Sequence, residues 1–389
     1  MTSGRLPTTS IALGGLVALA AAMGIGRFVY TPILPFMVES LGLTEAEAGV
    51  IASANFLGYL LGALAASSAS LPGGRRLWFL AALALSALST GAMGLSSSMA
   101  LHLLLRLTGG VASAFVLVFA SALVLDRLAV TGRSGLSAVH FAGVGCGIAM
   151  SAVLVSGLAA ADYGWRTQWL VSGAISLLAF ALVVWLVPDE TDRDRPAARP
   201  IGGGIDRRLI SLVLAYGLFG FGYVITATFI STMARASPEL RSFEAVIWLA
   251  VGLAAIPSVA LWTWIGRRWG NDRSFAIACL VEGFGVALSV LASNAWAIVF
   301  AGALLGGTFM GITALGLVHA RALSKGDPRR SLAFMTAAFG LGQMIGPTFA
   351  GFAHGLGDSF LVPSLVAAAA LLLAAALVAD PRARPKASV

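Results

Sequence analysis

The chain has 389 residues, of which 58% are hydrophobic and 11% charged, with a mean hydropathy of +0.91 and a formal net charge of +8. Soluble proteins carry roughly 25% charged residues and their cores stop growing well below this size, so a soluble domain is excluded and lipid is the solvent that fits. The basic balance does not indicate a nucleic-acid partner, because the cations sit in short loops and form no basic stripe with interleaved aromatics.

Taken in chain order, apolar runs of about twenty residues predict spans over 11–38, 46–66, 77–95, 100–125, 135–160, 167–187, 208–233, 245–265, 274–292, 296–319, 332–354 and 361–379. The first run carries Arg27 in its middle, is too long and too charged for a signal-peptide core, and reads as a retained span. Residues 188–207, rich in charge, Pro and Gly, read as a cytoplasmic linker. The expected organisation is an all-α membrane protein of twelve transmembrane helices in two pseudo-symmetric six-helix bundles, 1–187 and 208–389, the second ending in a short tail.

Lys and Arg residues set the topology. The chain ends and even-numbered loops hold twenty of them, the opposite loops only Arg166, Arg235 and Arg241, and the last two, Arg27 and Arg106, lie inside spans. Both termini are therefore expected in the cytoplasm of a bacterial-type inner membrane, in a multi-pass monomer. Trp165, Trp169, Trp248 and Trp296 fall near span ends, as interfacial aromatics do. Cys146 and Cys279 fall inside spans and are expected to pack as small hydrophobes; no disulfide framework, metal spacing or cofactor is expected.

The halves repeat. At a constant offset of 197, Gly73 meets Gly270, Arg76 meets Arg273, Gly109 and Gly110 meet Gly306 and Gly307, Ser134 meets Ser331, and Gly143 and Gly145 meet Gly340 and Gly342. Parallel repeats of six spans are the arrangement of two-halved secondary transporters, with the solute at midplane between the halves.

The loop after span 2 reads Gly73-Gly74-Arg75-Arg76, and that after span 8 reads Gly266-Arg267-Arg268-Trp269-Gly270. Span 4 opens with Arg106-Leu-Thr-Gly109-Gly110, and span 5 has Gly143-Val-Gly145-Cys-Gly147. With these motifs the chain resembles the major facilitator superfamily over almost its whole length. Span 1 (residues 24–37) and span 11 (340–347) are similar to its YbfB/YjiJ-type branch. The resemblance implies a transporter, a gating role for Gly74, Arg75, Arg76, Gly266, Arg267 and Arg268, and a role for Arg106 in solute contact or proton-coupled change. The acidic residue that usually precedes the first Arg of the loop motif is missing, as are the Gln of the span-4 motif and the Pro of the span-5 motif.

Charges inside a span cost roughly 2.5–3.5 kcal/mol each and normally face a cavity or a partner. Arg27, flanked by Gly24 and Gly26, is expected to bind an anionic solute, with Tyr30 and Thr31 one turn away; Pro32 and Pro35 remove hydrogen bonds to the carbonyls of Phe28 and Thr31. Arg106 has two readings, solute contact or interhelical hydrogen-bond hub. Glu282 is the one carboxylate near the middle of a span. It is suited to carry a proton, but its helix is peripheral in the resembled superfamily, so a neutral glutamate bonded to a neighbouring helix is expected. His140 is a second proton-coupling candidate, or a helix–helix hydrogen bonder. Asn55, Tyr59, Tyr216, Tyr223 and Gln343 are further candidate solute contacts, and any of them serves equally as packing glue.

No phosphate-binding loop, metal cluster or hydrolytic triad occurs, so direct ATP use and enzymatic activity are not expected. The expected function is secondary transport by alternating access of a small organic solute, anionic or polyhydroxylated, coupled to protons. Multidrug efflux is the alternative within transport. A non-transporting membrane receptor or assembly partner is the alternative of another class.

Overall fold

The computed structural model describes residues 8–67, 72–187, 207–324 and 328–379. Within them are twelve helices long and apolar enough to cross a membrane: span 1 Thr8–Leu41, span 2 Glu45–Ala66, span 3 Arg75–Leu95, span 4 Met99–Val130, span 5 Ser137–Ala160, span 6 Trp165–Leu186, span 7 Arg207–Ala236, span 8 Arg241–Trp269, span 9 Asn271–Leu291, span 10 Ala295–Leu323, span 11 Arg330–Gly357 and span 12 Leu361–Ala379. The predicted linker 188–207 lies outside the described residues apart from Arg207, as do Arg5, Lys325 and the tail from 380. An even number of crossings puts Thr8 and Ala379 at one face, called here the near face; the opposite one is the far face.

Local chemistry marks the turns. Gly42, at φ 65°, ends span 1 in the left-handed region. Thr44 then caps span 2, its hydroxyl accepting from the Glu47 amide while Glu47 reaches back to the Thr44 amide. Asn294 caps span 10 by accepting from the amides of Trp296 and Ala297. In the two near-face loops that share the Gly/Arg motif, Gly73 and Gly270 take φ of +90° and +88°. Each thus has a positive φ just before the next span begins.

Between apolar helices in lipid, association depends on close backbone approach, which small residues permit. A Cβ on Gly110 would lie 2.0 Å from the Asn55 carbonyl oxygen, and one on Gly306 would lie 2.0 Å from that of Val251. Likewise Gly143 presses on the Leu16 carbonyl and Gly342 on that of Gly217, both at 2.1 Å. These contacts correct the single offset of 197. By packing role Gly110 corresponds to Gly306 and Gly143 to Gly342.

The interfacial tryptophans are also corrected. Trp296 is exposed, but Trp165, Trp169 and Trp248 are buried. Trp169 donates to the Met37 sulfur at 3.4 Å and Trp248 to the Ser151 hydroxyl at 3.0 Å, so an inward partner satisfies each indole. The exposed indoles are instead Trp185, Trp264 and Trp269 toward the near face, with Trp296 at the far one.

Spans 1–6 and spans 7–12 meet along spans 1 with 7, 2 with 11 and 5 with 8. Gly49 and Gly351 bring span 2 against span 11, and Gly145 and Gly252 bring span 5 against span 8, each so closely that a Cβ would fall within 2.5 Å of the partner backbone.

Candidate functional site

Span 1 is not one continuous α-helix. Ala20–Ile25 form a π-helical turn, residues 26–29 a plain turn, and the α-helix resumes at Tyr30. The break thus precedes Pro32 and Pro35, which lie in the resumed α-helix. Close packing accounts for it: a Cβ on Gly24 would lie 2.4 Å from Gly147 Cα in span 5, and one on Gly26 2.6 Å from the Ser86 hydroxyl in span 3. The displaced ladder leaves carbonyls without helical partners. Arg106 reaches across from span 4 and donates to two of them, Gly26 O and Arg27 O, each at 3.2 Å. Its guanidinium also lies 4.8 Å from the Tyr30 ring centroid.

Asn55 in span 2 closes the same node by donating to the Arg106 carbonyl at 2.9 Å. Asn55 is therefore part of a span 2–span 4 lock. Arg106 makes the interhelical hydrogen bonds of one of its two readings, and one of its faces borders the cavity described next.

Arg27 points from the break toward the other half. Its guanidinium donates to Gln343 Oε1 of span 11 at 2.8 Å. It lies over the ring of Tyr59 at 4.1 Å and that of Phe56 at 4.7 Å. Gln343 in turn donates to the Tyr223 hydroxyl of span 7. The Tyr223 ring is stacked with Phe309 and Phe339. Arg27 is 3% exposed, its Nε has no hydrogen-bond partner, and no carboxylate among the described residues lies within ion-pair distance. A buried cation with one amide and aromatic faces for company is the arrangement that gains most from an arriving anion.

Beside Arg27 is a cavity of ≈ 10 Å³ lined by Arg27, Phe28, Tyr30, Thr31, Ala52, Phe56, Arg106, Ala227 and Thr228. This is about the room of one water, so the site is closed around its own side chains. Of the sequence candidates, Arg27, Tyr30, Thr31 and Arg106 line it, Tyr59 and Gln343 contact the Arg27 guanidinium, and Tyr223 holds Gln343. Tyr216 belongs to the aromatic stack through Phe339 and bonds the Thr313 carbonyl. His140 is elsewhere: it is buried within the first half against Gly15 and bonded to the Ser121 hydroxyl at 3.1 Å. Phe28, Ala52, Phe56, Ala227 and Thr228 were not singled out, since an apolar residue carries no sign in the sequence of which way its helix face turns.

Among the described residues, five side-chain hydrogen bonds are seen to cross between the halves. Arg27–Gln343 is at mid-depth, and the others all lie toward the far face: Thr31 to the Ala227 carbonyl, Trp248 to Ser151, Thr348 to Ser53, and Arg235 to Glu39. Arg235 Nε is 2.8 Å from Glu39 and its other arm 3.2 Å from Glu244, while Arg241 lies 3.5 Å from Glu39 and His354 3.7 Å from Glu45. The protein is clamped at its far end.

At the near face, three bonds of the first loop motif lie within the first half. Arg75 pairs with Asp126 at the end of span 4, 3.2 Å away, which supplies the acid that the loop motif itself lacks. Arg76 donates to the carbonyls of Val184, in the last turn of span 6, and of Val187 just after it. Gly74 precedes span 3 at its N-cap. In the second half Gly266 packs on Leu315 and Asn271, and Arg268 lies over Trp264; Arg267 is exposed in the last turn of span 8.

Twelve spans, a closely packed seam between two sets of six and a buried cation at that seam define a membrane transporter of the major facilitator fold. Solved structures agree. The nucleoside transporter NupG matches with a TM-score of 0.75 at 14% identity, covering 94% of this chain and 98% of that one. A bacterial homologue of the human lysosomal transporter Spinster, in an inward-facing and occupied conformation, matches with a TM-score of 0.73 at 16% identity, covering 99% and 100%.

The chain belongs to the family described as "Uncharacterised MFS-type transporter YbfB", whose profile matches residues 19–379. Among curated relatives, the uncharacterised MFS-type transporter YceJ of Bacillus subtilis is 26% identical over 67% of this chain and 68% of its own length. The multidrug resistance protein MdtG of Proteus mirabilis is 24% identical over 70% and 71%. A gallate transporter of Pseudomonas putida is 27% identical over 40% and 35%. Family and fold are those of transporters, not enzymes.

Proposed function

We propose that this protein moves a small organic anion across a bacterial-type inner membrane by alternating access, with Arg27 as the anion-binding residue and a proton as the coupling ion. The observation that carries the reading is Arg27 itself, buried between the halves with no carboxylate partner among the described residues. Its charge is held in place at a cost, which a bound anion offsets. The solute enters by displacing Gln343 from the guanidinium, and Tyr30 and Thr31 contact it at the same level. The aromatic faces beside Arg27 suit a planar acid. The gallate transporter among the relatives handles one such solute, an aromatic, polyhydroxylated carboxylate.

In this reading residues 1–187 and 208–389 are the two rocking domains and 188–207 the cytoplasmic linker. The near face, which bears the basic loops, is cytoplasmic by the distribution of Lys and Arg. The far face is then external, and its clamp leaves the site to open toward the cytoplasm. The protein works as a monomer in the bilayer.

A thermal-shift panel on detergent-purified protein tests this, with benzoate, gallate, a neutral nucleoside and tetraphenylphosphonium on wild type and Arg27→Ala. A ligand at 100 times its dissociation constant stabilises the folded state by roughly 2.7 kcal/mol. Stabilisation by the acids that is lost in Arg27→Ala supports the reading. Stabilisation by tetraphenylphosphonium alone, indifferent to Arg27, sinks it in favour of multidrug efflux. Binding of an acid without flux in liposomes identifies a receptor instead.

A further inference from the structure

We infer, on the anion reading of Arg27, that Gln343 is an internal stand-in for the solute rather than a contact to it. Its side-chain amide holds half of the Arg27 edge that a carboxylate would take whole. A solute carboxylate displaces it and a neutral amide does not, so Gln343 sets the preference of the site for carboxylates.

Arg27 Nη2 donates to Gln343 Oε1 at 2.8 Å, while Nε of the same guanidinium is buried with no hydrogen-bond partner. These two nitrogens share one edge of the planar group, along which the two oxygens of a carboxylate fit side by side. Gln343 thus makes one contact at a two-point site. The ring centroids of Tyr59, Phe56 and Phe28 lie 4.1, 4.7 and 5.6 Å from the guanidinium carbon, which leaves the edges of the cation for polar groups. Gln343 is itself fully buried. The cavity beside Arg27, at ≈ 10 Å³, has room for about one water. A solute carboxylate therefore has no place on that edge until Gln343 withdraws.

The bond partners fix which way the amide is turned. A guanidinium carries donors only, so Gln343 presents its oxygen to Arg27 and its nitrogen to the Tyr223 hydroxyl, to which it donates. In shape a carboxamide is a carboxylate with one oxygen replaced by NH2. On Arg27 it makes one hydrogen bond, leaves Nε unpaired and brings no charge. A carboxylate on the same edge makes two, both between charged partners and so stronger, and it neutralises the buried cation. A neutral amide solute offers Arg27 nothing that Gln343 does not already supply. The empty site is thus closed by a competitor that yields to the charged form of a ligand and holds against its neutral form, which is discrimination by what must be displaced.

The test is calorimetric titration of benzoate, and of its neutral isostere benzamide, into the detergent-purified whole chain as wild type, Arg27→Ala, Gln343→Met and Gln343→Glu. Methionine keeps the length of the side chain without its oxygen or N–H. Benzoate should bind Gln343→Met about tenfold more tightly than wild type, the worth of one hydrogen bond that no longer has to be broken. Benzamide should bind wild type about tenfold or more weakly than benzoate does. Gln343→Glu reads the same question independently: its own carboxylate completes the pair with Arg27, so it should refuse benzoate and, without ligand, unfold at a higher temperature than wild type. Equal or weaker benzoate binding in Gln343→Met overturns the stand-in, and so does a Gln343→Glu protein that binds benzoate as wild type does. In either case, loss of benzoate binding in Arg27→Ala leaves the anion reading standing. Benzamide bound as tightly as benzoate overturns the preference for carboxylates. Benzoate bound by neither wild type nor Gln343→Met sinks the anion reading and the stand-in together.

Discussion

Arg27 and Gln343, 316 residues apart in sequence, are joined by a 2.8 Å hydrogen bond that links the two halves of the protein at mid-depth. The bond uses the one amide on span 11 and the one cation at the break in span 1. Any solute that takes the guanidinium must take it from Gln343.

Replacing Arg27 by Lys should keep the charge and lose the site. An ammonium cannot lie flat against Tyr59 and Phe56 while reaching Gln343. Acid-dependent stabilisation should weaken by roughly 1.5–3 kcal/mol, the worth of a charge-assisted hydrogen bond. Thermal shift with benzoate or gallate reads this directly, and a variant as responsive as wild type removes Arg27 from the site.

Arg106→Gln is expected to act on stability first. The shorter amide cannot reach both Gly26 O and Arg27 O, which would be left buried and unpaired at about 1–3 kcal/mol each. A lowered unfolding temperature in detergent, with residual acid binding, is the expected result. Unchanged stability with abolished binding would instead make Arg106 a solute contact.

Arg235→Ala should loosen the far-face clamp. It removes the contacts to Glu39 and Glu244 together with the stacking on Phe36 at 3.6 Å. Partly exposed ion pairs are worth about 0.2–1 kcal/mol each, enough to shift a two-state equilibrium several-fold. A cysteine at Thr31, in a background without Cys146 and Cys279, should then react faster with a charged thiol reagent added from outside. Equal rates in the two proteins would show that the ion pairs do not hold this end closed.

Gly342→Val should destabilise by about 1–3 kcal/mol through overpacking, because a Cβ there meets the Gly217 carbonyl at 2.1 Å. Gly157→Val, where a Cβ meets nothing within 4 Å, is the control and should be close to neutral. Similar unfolding temperatures for the two variants would contradict the seam between spans 7 and 11.

Much of the architecture was legible in the sequence. Twelve spans could be read because lipid satisfies no backbone hydrogen bond, so each crossing must be one long apolar helix. Arg27, Arg106 and Glu282 stood out because charge in such a helix is costly wherever it falls. What those charges do was decided by helix rotation and by contacts across hundreds of residues. Asn55 turned out to be a lock on the Arg106 carbonyl, His140 was packed away within the first half, and Phe56, Ala227 and Thr228 became cavity wall. Even the repeat, matched by packing role, takes two offsets instead of one, because close backbone approach and not sequence spacing sets which glycines correspond.

The sequence alone determined a transporter-like membrane protein with an even number of spans and a cation at the depth of a solute site, because hydropathy and charge are properties of single residues. Only the tertiary structure decided that span 1 breaks before its prolines, that Arg106 bonds the freed carbonyls, that Arg27 reaches Gln343, and that Glu282 is fully buried with Thr308 of span 10 beside it. Those outcomes depend on which small residues let two backbones touch, and a contact between helices is a property of the pair.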